Sequence, residues 1–374
     1  MMKKLSVSLL LVLFSFSLVA QEHQKTILFL IPFYSKEYTE LDISSIRDCD
    51  DIRNIPAFRL MGFWAGAQVA LDEYSKNNDT PLRVVVRDVT EDVNHLKSIM
   101  EDESLMKDVD VIIGPFFSKT FAVAARYAKQ YKIPIVNPFT TRTDILKDNE
   151  YVFKLTPSCD NRPAMIAYSA EQFPSSHIIL VSDSSAPSRG YACYTRYFKE
   201  KGIAYATVDN KQQLLASMKP EGKNIIVSFS NDAARMLMLS DALLYGSVVG
   251  KYVLVVPEEW LSSKTYDVGY FSRLNIHFFS DVHIDMTDEA TLLFIDKYKE
   301  RFSAPPTLDN FAFQGYDVTR FFIDFIMNGK DLDRVKTVPL AYPLSFDKRP
   351  SGGYENVNVH FLEVVDNEIQ PVRF

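Results

Sequence analysis

Short apolar runs alternate with amphipathic stretches along most of the chain, and Gly, Pro, Asn or Asp closes most of the runs. The stretch 109–144, VDVIIGPFFSKTFAVAARYAKQYKIPIVNPFTTRTD, shows the pattern most clearly. Residues 109–113 predict a strand closed by Gly114-Pro115. Ser118 can cap a helix carrying Phe121, Ala124, Ala125 and Ala128 at helical spacing. Residues 133–136 predict a second strand closed by Asn137-Pro138. A strand–helix–strand unit runs its strands parallel with a right-handed crossover, so loops 115–120 and 137–143 leave the same edge of the sheet. Ligands bind at that edge in open parallel sheets. Both loops carry hydroxyls and no evident catalytic group, which points to binding rather than reaction.

The same alternation predicts strands at 26–31 and 82–87 and helices at 58–76 and 93–106. In the first helix Leu60, Trp64, Ala67, Leu71 and Tyr74 form one stripe. Gly62, Gly66 and Ala70 recur every four residues beside it, a face able to approach a sheet closely. After Tyr151 the pattern restarts. Strands are expected at 177–181, 205–208, 224–229, 252–256 and 276–279, and helices at 161–172, 190–201, 211–218, 232–244, 288–302 and 310–328. The last forty residues read instead as antiparallel strands and turns at 344–347, 357–365 and 369–372. The fold class is therefore α/β, with two doubly wound parallel-sheet lobes.

Composition narrows the function. Residues 1–20 have a basic start at Lys3-Lys4, an apolar run and a small residue at Ala20, which describes a cleavable signal peptide. No Cys follows for lipid attachment, so a periplasmic or secreted protein is expected. Lys and Arg number 41 against 48 Asp and Glu, a net charge of −7 that becomes −9 once Lys3 and Lys4 are lost. Such a chain suits neither nucleic acid nor an anionic membrane surface. Cys49, Cys159 and Cys193 are too few for a disulfide scaffold and too scattered for a metal site. Export would allow a Cys159–Cys193 bond, and three ordinary small residues is an equal reading. There is no GxGxxG, GxxxxGK[ST], GxSxG or HExxH, so neither an enzyme nor a cofactor is expected. Asp281, His283 and Asp285 alternate as D-x-H-x-D, a pattern that can touch a metal but is more often solvated.

The chain resembles the type I periplasmic binding proteins, the branch of leucine/isoleucine/valine-binding proteins and receptor ligand-binding regions. The resemblance rests on FRLMGFWAGAQVALDEYSK (58–76), DVIIGPFFSKT (110–120), KIPIVNPFTTRTDIL (132–146), YVFKLTPSCDNR (151–162) and GYACYTRYFKEKGI (190–203). FAFQGYDVTRFFIDFI (311–326) and PLSFDKRPSGGYENVNVHFLEV (343–364) extend it over nearly the whole mature chain, in the family's order. It implies two lobes joined by a three-crossing hinge with a ligand cleft between them. Lobe one is placed at 24–152 plus 276–331, and lobe two at 153–275 plus 332–374.

The resemblance also implies a ligand set. Ser118, Lys119 or Thr120, and Phe139 through its backbone with Thr140 or Thr141, would hold a ligand carboxylate and ammonium. Ser118 reads equally as a plain helix cap, and either threonine as a turn cap. From lobe two, Glu258 or Glu259 would hold the ammonium or reads as a solvated acidic turn, Arg189 would pair a carboxylate or reads as a surface arginine, and Trp260 would stack on the ligand or serve an interface or packing role. Phe33 and Tyr34 reach the same edge. Phe116, Phe117 and Phe139 stand where the family's amino-acid binders carry small residues, so their rings either stack on a ligand or fill the pocket. Tyr316 and Asp317 match the family's Tyr-Asp pair and read as structural, near the hinge. Residues 35–55 overhang the cleft mouth or offer a protein surface. The implied function is a monomeric solute-binding protein that passes a small polar or amphipathic, amino-acid-like ligand to a membrane permease of the ABC type. The alternative is the same fold used as a sensor or cell-envelope (peptidoglycan-related) partner module.

Overall fold

The structure, a computed structural model, describes residues 24–38, 55–159, 161–182, 188–262, 267–306 and 311–373. The expected leader, Cys49 and most of loop 35–55 lie outside those residues. Strand β1 (Lys25–Ile31) shows why the sequence folds as it does. In KTILFLI, Leu28 and Leu30 enter one core and Ile27, Phe29 and Ile31 another. A strand apolar on both faces belongs inside a parallel sheet covered by helices on both sides. β1 pairs in parallel with β2 (Leu82–Asp88) and β3 (Val111–Ile113). β4 (Ile135–Asn137), β5 (Val152–Lys154), β12 (Tyr354–Asn356) and β11 (Phe346–Lys348) complete the sheet, in the order β11-β12-β5-β4-β3-β1-β2.

On one face lie α2 (Val93–Met100), α3 (Glu103–Met106) and α4 (Ser118–Tyr131). The single helix expected at 93–106 is broken because the Asp102 carboxylate accepts from the Leu105 N–H and caps a second start. On the other face lie α1 (Pro56–Asn77) and α11 (Phe311–Met327). The stripe Leu60, Trp64, Ala67, Leu71 and Tyr74 packs towards the sheet. The small-residue face beside it meets a helix instead. A Cβ on Gly66 would sit 1.8 Å from the Ala312 carbonyl oxygen, and one on Gly315 1.8 Å from that of Phe63. Only glycine permits this crossing of α1 and α11.

The second sheet runs β14-β13-β10-β9-β8-β6-β7. Its strands are β6 (His177–Val181), β7 (Ala206–Val208), β8 (Lys223–Ser228), β9 (Lys251–Val256), β10 (Ile276–Ser280), β13 (His360–Val365) and β14 (Glu368–Pro371). α5 (Asn161–Glu171) and α6 (Arg189–Lys201) cover one face; α7 (Lys211–Ser217), α8 (Ala233–Tyr245) and α9 (Val268–Arg273) cover the other. α10 (Glu289–Phe302) returns to the first lobe, where Phe294, Ile295 and Tyr298 pack with Val69 and Ala70 of α1.

Two expected boundaries move. β10, assigned by its sequence to lobe one, pairs with β9 and β13 in the second sheet. Residues 346–356, assigned to lobe two, pair with each other and with β5 in the first sheet. The three crossings therefore run through 155–160, 281–288 and 357–359. Each joins the same two edges. The first leaves the carboxyl end of β5, and the second leaves that of β10. The third leaves β12, which is parallel to β5, and enters β13, which is antiparallel to β10. The carboxyl ends of both parallel sheets thus meet at the hinge. Among the described residues, no helix is long and apolar enough to cross a membrane.

Candidate functional site

The carboxyl edge of the first sheet is built by two turns. After β3, Gly114 has φ 97°, and a Cβ there would lie 2.2 Å from the Leu30 carbonyl oxygen, so the turn demands glycine. α4 then starts one residue earlier than a Ser118 cap would place it. Phe117 is the cap and offers no side-chain acceptor, whereas Asp92, Ser188, Asn210, Asp232, Asp267 and Asp288 cap other helices with theirs. The N–H groups of Ser118, Lys119 and Thr120 precede the first intrahelical bond, which Phe121 makes to Phe117. Ser118 and Lys119 are exposed. Thr120 is fully buried and its hydroxyl donates to the Phe117 carbonyl at 3.1 Å, so it serves the helix start rather than a ligand.

After β4, the Asn137 side chain accepts from the N–H groups of Phe139 (2.9 Å) and Thr140 (2.8 Å). This spends the Phe139 N–H and leaves only its carbonyl for a ligand. Thr140 is buried and its hydroxyl accepts from the Arg142 N–H, while Thr141 is exposed. Of the two threonines, Thr140 is the turn cap and Thr141 faces out. Phe116 and Phe139 fill space rather than line an opening. Their centroids lie 4.8 Å apart, and they pack against Phe63 (5.0 and 5.9 Å) and Phe311 (5.2 Å from Phe139). Phe117 stays half-buried at the rim beside Tyr34.

Asp88, which the sequence did not single out, organises the turn after β1. Its carboxylate accepts from the N–H groups of Phe33 (2.8 Å), Tyr34 (3.2 Å) and Ser35 (2.8 Å), and from the Ser35 hydroxyl (2.6 Å). Nothing local marks this role, because Ser35 lies 53 positions earlier in the chain.

On the second lobe, Arg189 is exposed at the start of α6. Glu258 and Glu259 open a 3-10 turn directly after β9. Both are exposed as residues, yet the Glu258 carboxylate is tucked against the Ser280 hydroxyl, which donates to it at 2.9 Å. Burial of that carboxyl, with Asp281 and Glu259 nearby, pushes its pKa up and outweighs the Ser280 bond. Trp260 does not reach a ligand. It is 1 % exposed in the core, and its indole N–H donates to the Ser230 carbonyl at 2.9 Å.

The hinge is cross-linked beside its crossings. Lys154, fully buried at the end of β5, pairs at 2.8 Å with Glu355 of β12, which also accepts from Ser158 and from Arg349 at 2.5 Å. Burial raises the Glu355 carboxyl, but the Lys154 and Ser158 bonds outweigh it and leave the pKa below the ordinary value. Asn161 donates to the Val357 carbonyl, joining the first crossing to the third. The three D-x-H-x-D side chains go separate ways. Asp281 lies 3.6 Å from Arg162, the His283 ring stacks edge-on to His360, and Asp285 accepts from the Thr287 N–H and hydroxyl. Tyr316 and Asp317 hold the hinge side of α11. Tyr316 donates to Glu73 at 2.7 Å, and the fully buried Asp317 accepts from the N–H groups of Leu340, Ala341 and Tyr342 at 2.7–3.0 Å. The Ala341 carbonyl in turn accepts from His283 N–H (3.0 Å) and contacts His360 Nε2 (2.9 Å). A disulfide joins Cys159 of the first crossing to Cys193 of α6, with Cα atoms 6.4 Å apart.

A family model described as periplasmic binding protein matches residues 57–222. Among curated proteins none matches this chain. Solved structures share its architecture at low identity. One, described as a putative branched-chain amino acid ABC transporter from Rhodospirillum rubrum, is 13% identical with a TM-score of 0.60, over 93% of this chain and all of that one. An ABC-type branched-chain amino acid transporter from Rhodopseudomonas palustris is 16% identical with a TM-score of 0.57, over 93% of this chain and 95% of its own. Full-length LpoA from Haemophilus influenzae is 12% identical with a TM-score of 0.54, and 94% of this chain covers 60% of that protein.

Proposed function

We propose that this chain, whose fold is that of the type I periplasmic binding proteins, is an exported solute-binding protein. It captures a small polar or amphipathic, amino-acid-like molecule between its lobes and delivers it to an ABC-type permease. One observation carries the reading: the carboxyl edges of two parallel-dominated sheets meet at a three-crossing hinge. On lobe one, Ser118, Thr141 and the N–H groups at the start of α4 suit a carboxylate, because hydroxyls and helix-start amides stabilise an anion without a full opposing charge. On lobe two, Glu258 suits an ammonium. Ligand binding would favour the closed arrangement of the lobes. Among the described residues neither side presents a nucleophile with its base, and the reading is therefore capture and release of an unchanged ligand.

The test is thermal. A pool of amino acids, short peptides and sugars should raise the melting temperature, since a ligand at a hundredfold its Kd stabilises by about 2.7 kcal/mol, a shift of a few degrees. Ser118→Ala with Thr141→Ala should abolish the rise while leaving the ligand-free melting temperature within about a degree, because both side chains are exposed. A curve that no member of the pool moves contradicts the reading.

A further inference from the structure

The turns that follow the neighbouring strands β1 and β3 carry the same device. β1 and β3 are parallel partners, with Phe29 opposite Ile113, and each is followed by two consecutive aromatic residues, Phe33-Tyr34 and Phe116-Phe117. In each pair the first ring is an anchor. Phe33 packs edge-on to Trp64 at 6.1 Å, and Phe116, 6 % exposed, packs edge-on to Phe63 at 5.0 Å. The second ring of each pair stays half-buried at the carboxyl edge, and the two second rings meet each other. Tyr34 and Phe117 lie 6.4 Å apart at 81°. The arrangement is held rather than incidental. Tyr34 has φ 55°, a left-handed conformation that is unfavourable for a non-glycine residue. Asp88 sustains it by binding the N–H groups on both sides of Tyr34 as well as its own.

We infer that Tyr34 and Phe117 form an aromatic platform that selects ligands bearing an aromatic ring. This rests on the reading of the cleft as a ligand site and adds the class of side chain that it takes. Phe117 directly precedes Ser118, so a ring on the platform lies within one side-chain length of the group held at the start of α4. A third ring joins an edge-to-face pair with favourable quadrupole geometry, worth more than the area it buries. An aliphatic side chain gains the area alone.

Calorimetric titration of the full-length mature protein with L-phenylalanine and with L-leucine tests the platform. Phenylalanine should bind about tenfold more tightly. Tyr34→Gly and Phe117→Ala should each bring the phenylalanine-to-leucine affinity ratio to about one. Tyr34→Gly also limits the folding cost, because glycine adopts the left-handed conformation without strain and so offsets the lost Phe117 contact, and the ligand-free melting temperature should stay within a few degrees. Equal or tighter binding of leucine by the unmodified protein overturns the platform. So does an unchanged ratio in both variants, and so does failure of both amino acids to bind. In none of these cases does the cleft reading fall with it, since the melting experiment with the wider pool and the Ser118/Thr141 variant judges that separately.

Discussion

Glu258 is the second-lobe carboxyl on which the proposed ammonium contact rests. Its carboxyl is held above the ordinary glutamate value of 4.5 by burial, and Asp281 and Glu259 add to the effect. A raised pKa means the charge that would hold a ligand ammonium is lost earlier on acidification. Affinity for an ammonium-bearing ligand should therefore fall as the pH drops through a midpoint above 4.5, and Glu258→Gln should bind weakly at every pH with that step removed. Titration calorimetry from pH 4 to 8 reads both; a step of the same size in the variant would assign it to another group. At this scale the sequence located the edge but not the direction of each side chain. Thr140 and Thr141 are adjacent hydroxyls, and only the Asn137 turn decides that the first is spent internally. Trp260 was open between stacking and packing, and its burial in the core excludes stacking on a ligand.

Elements were legible wherever periodicity is strong and local. KTILFLI reads as a two-faced buried strand, and the helix at 58–76 shows its core stripe in the sequence. Partners were less legible, because an apolar run declares a strand without naming its neighbours. IHFFS forms β10 of the second sheet, and the short β12, with β11 paired to it, reaches back to β5 of the first across 201 positions. The Gly66 and Gly315 crossing has the same character: each glycine is visible alone, the contact only in three dimensions. α11 carries a prediction at this scale. Asp317 is the acceptor for three N–H groups of the 340–342 segment, to which His283 of the second crossing and His360 at the end of the third attach through Ala341. Asp317→Ala strands one buried and two part-buried donors, at about 1 kcal/mol for the buried one and less for the others, so urea denaturation should show a loss of about 2 kcal/mol. A loss under about 1 kcal/mol would mean the segment finds other acceptors.

Across the whole molecule, the hinge decides what the two lobes can do together. Its contacts gather at and beside the crossings: the buried Lys154–Glu355 pair where β5 and β12 end, Asn161 on the Val357 carbonyl, and the disulfide fixing the first crossing to α6. On the proposed reading, such a joint lets the two sheets rotate as bodies while their facing edges open and close. Small-angle X-ray scattering of the mature protein, alone and with a saturating ligand from the amino-acid pool, measures that motion directly. The account requires the radius of gyration to shrink on binding, and to stay unchanged in the Ser118→Ala, Thr141→Ala protein under the same conditions. Identical profiles with ligand demonstrably bound would contradict it.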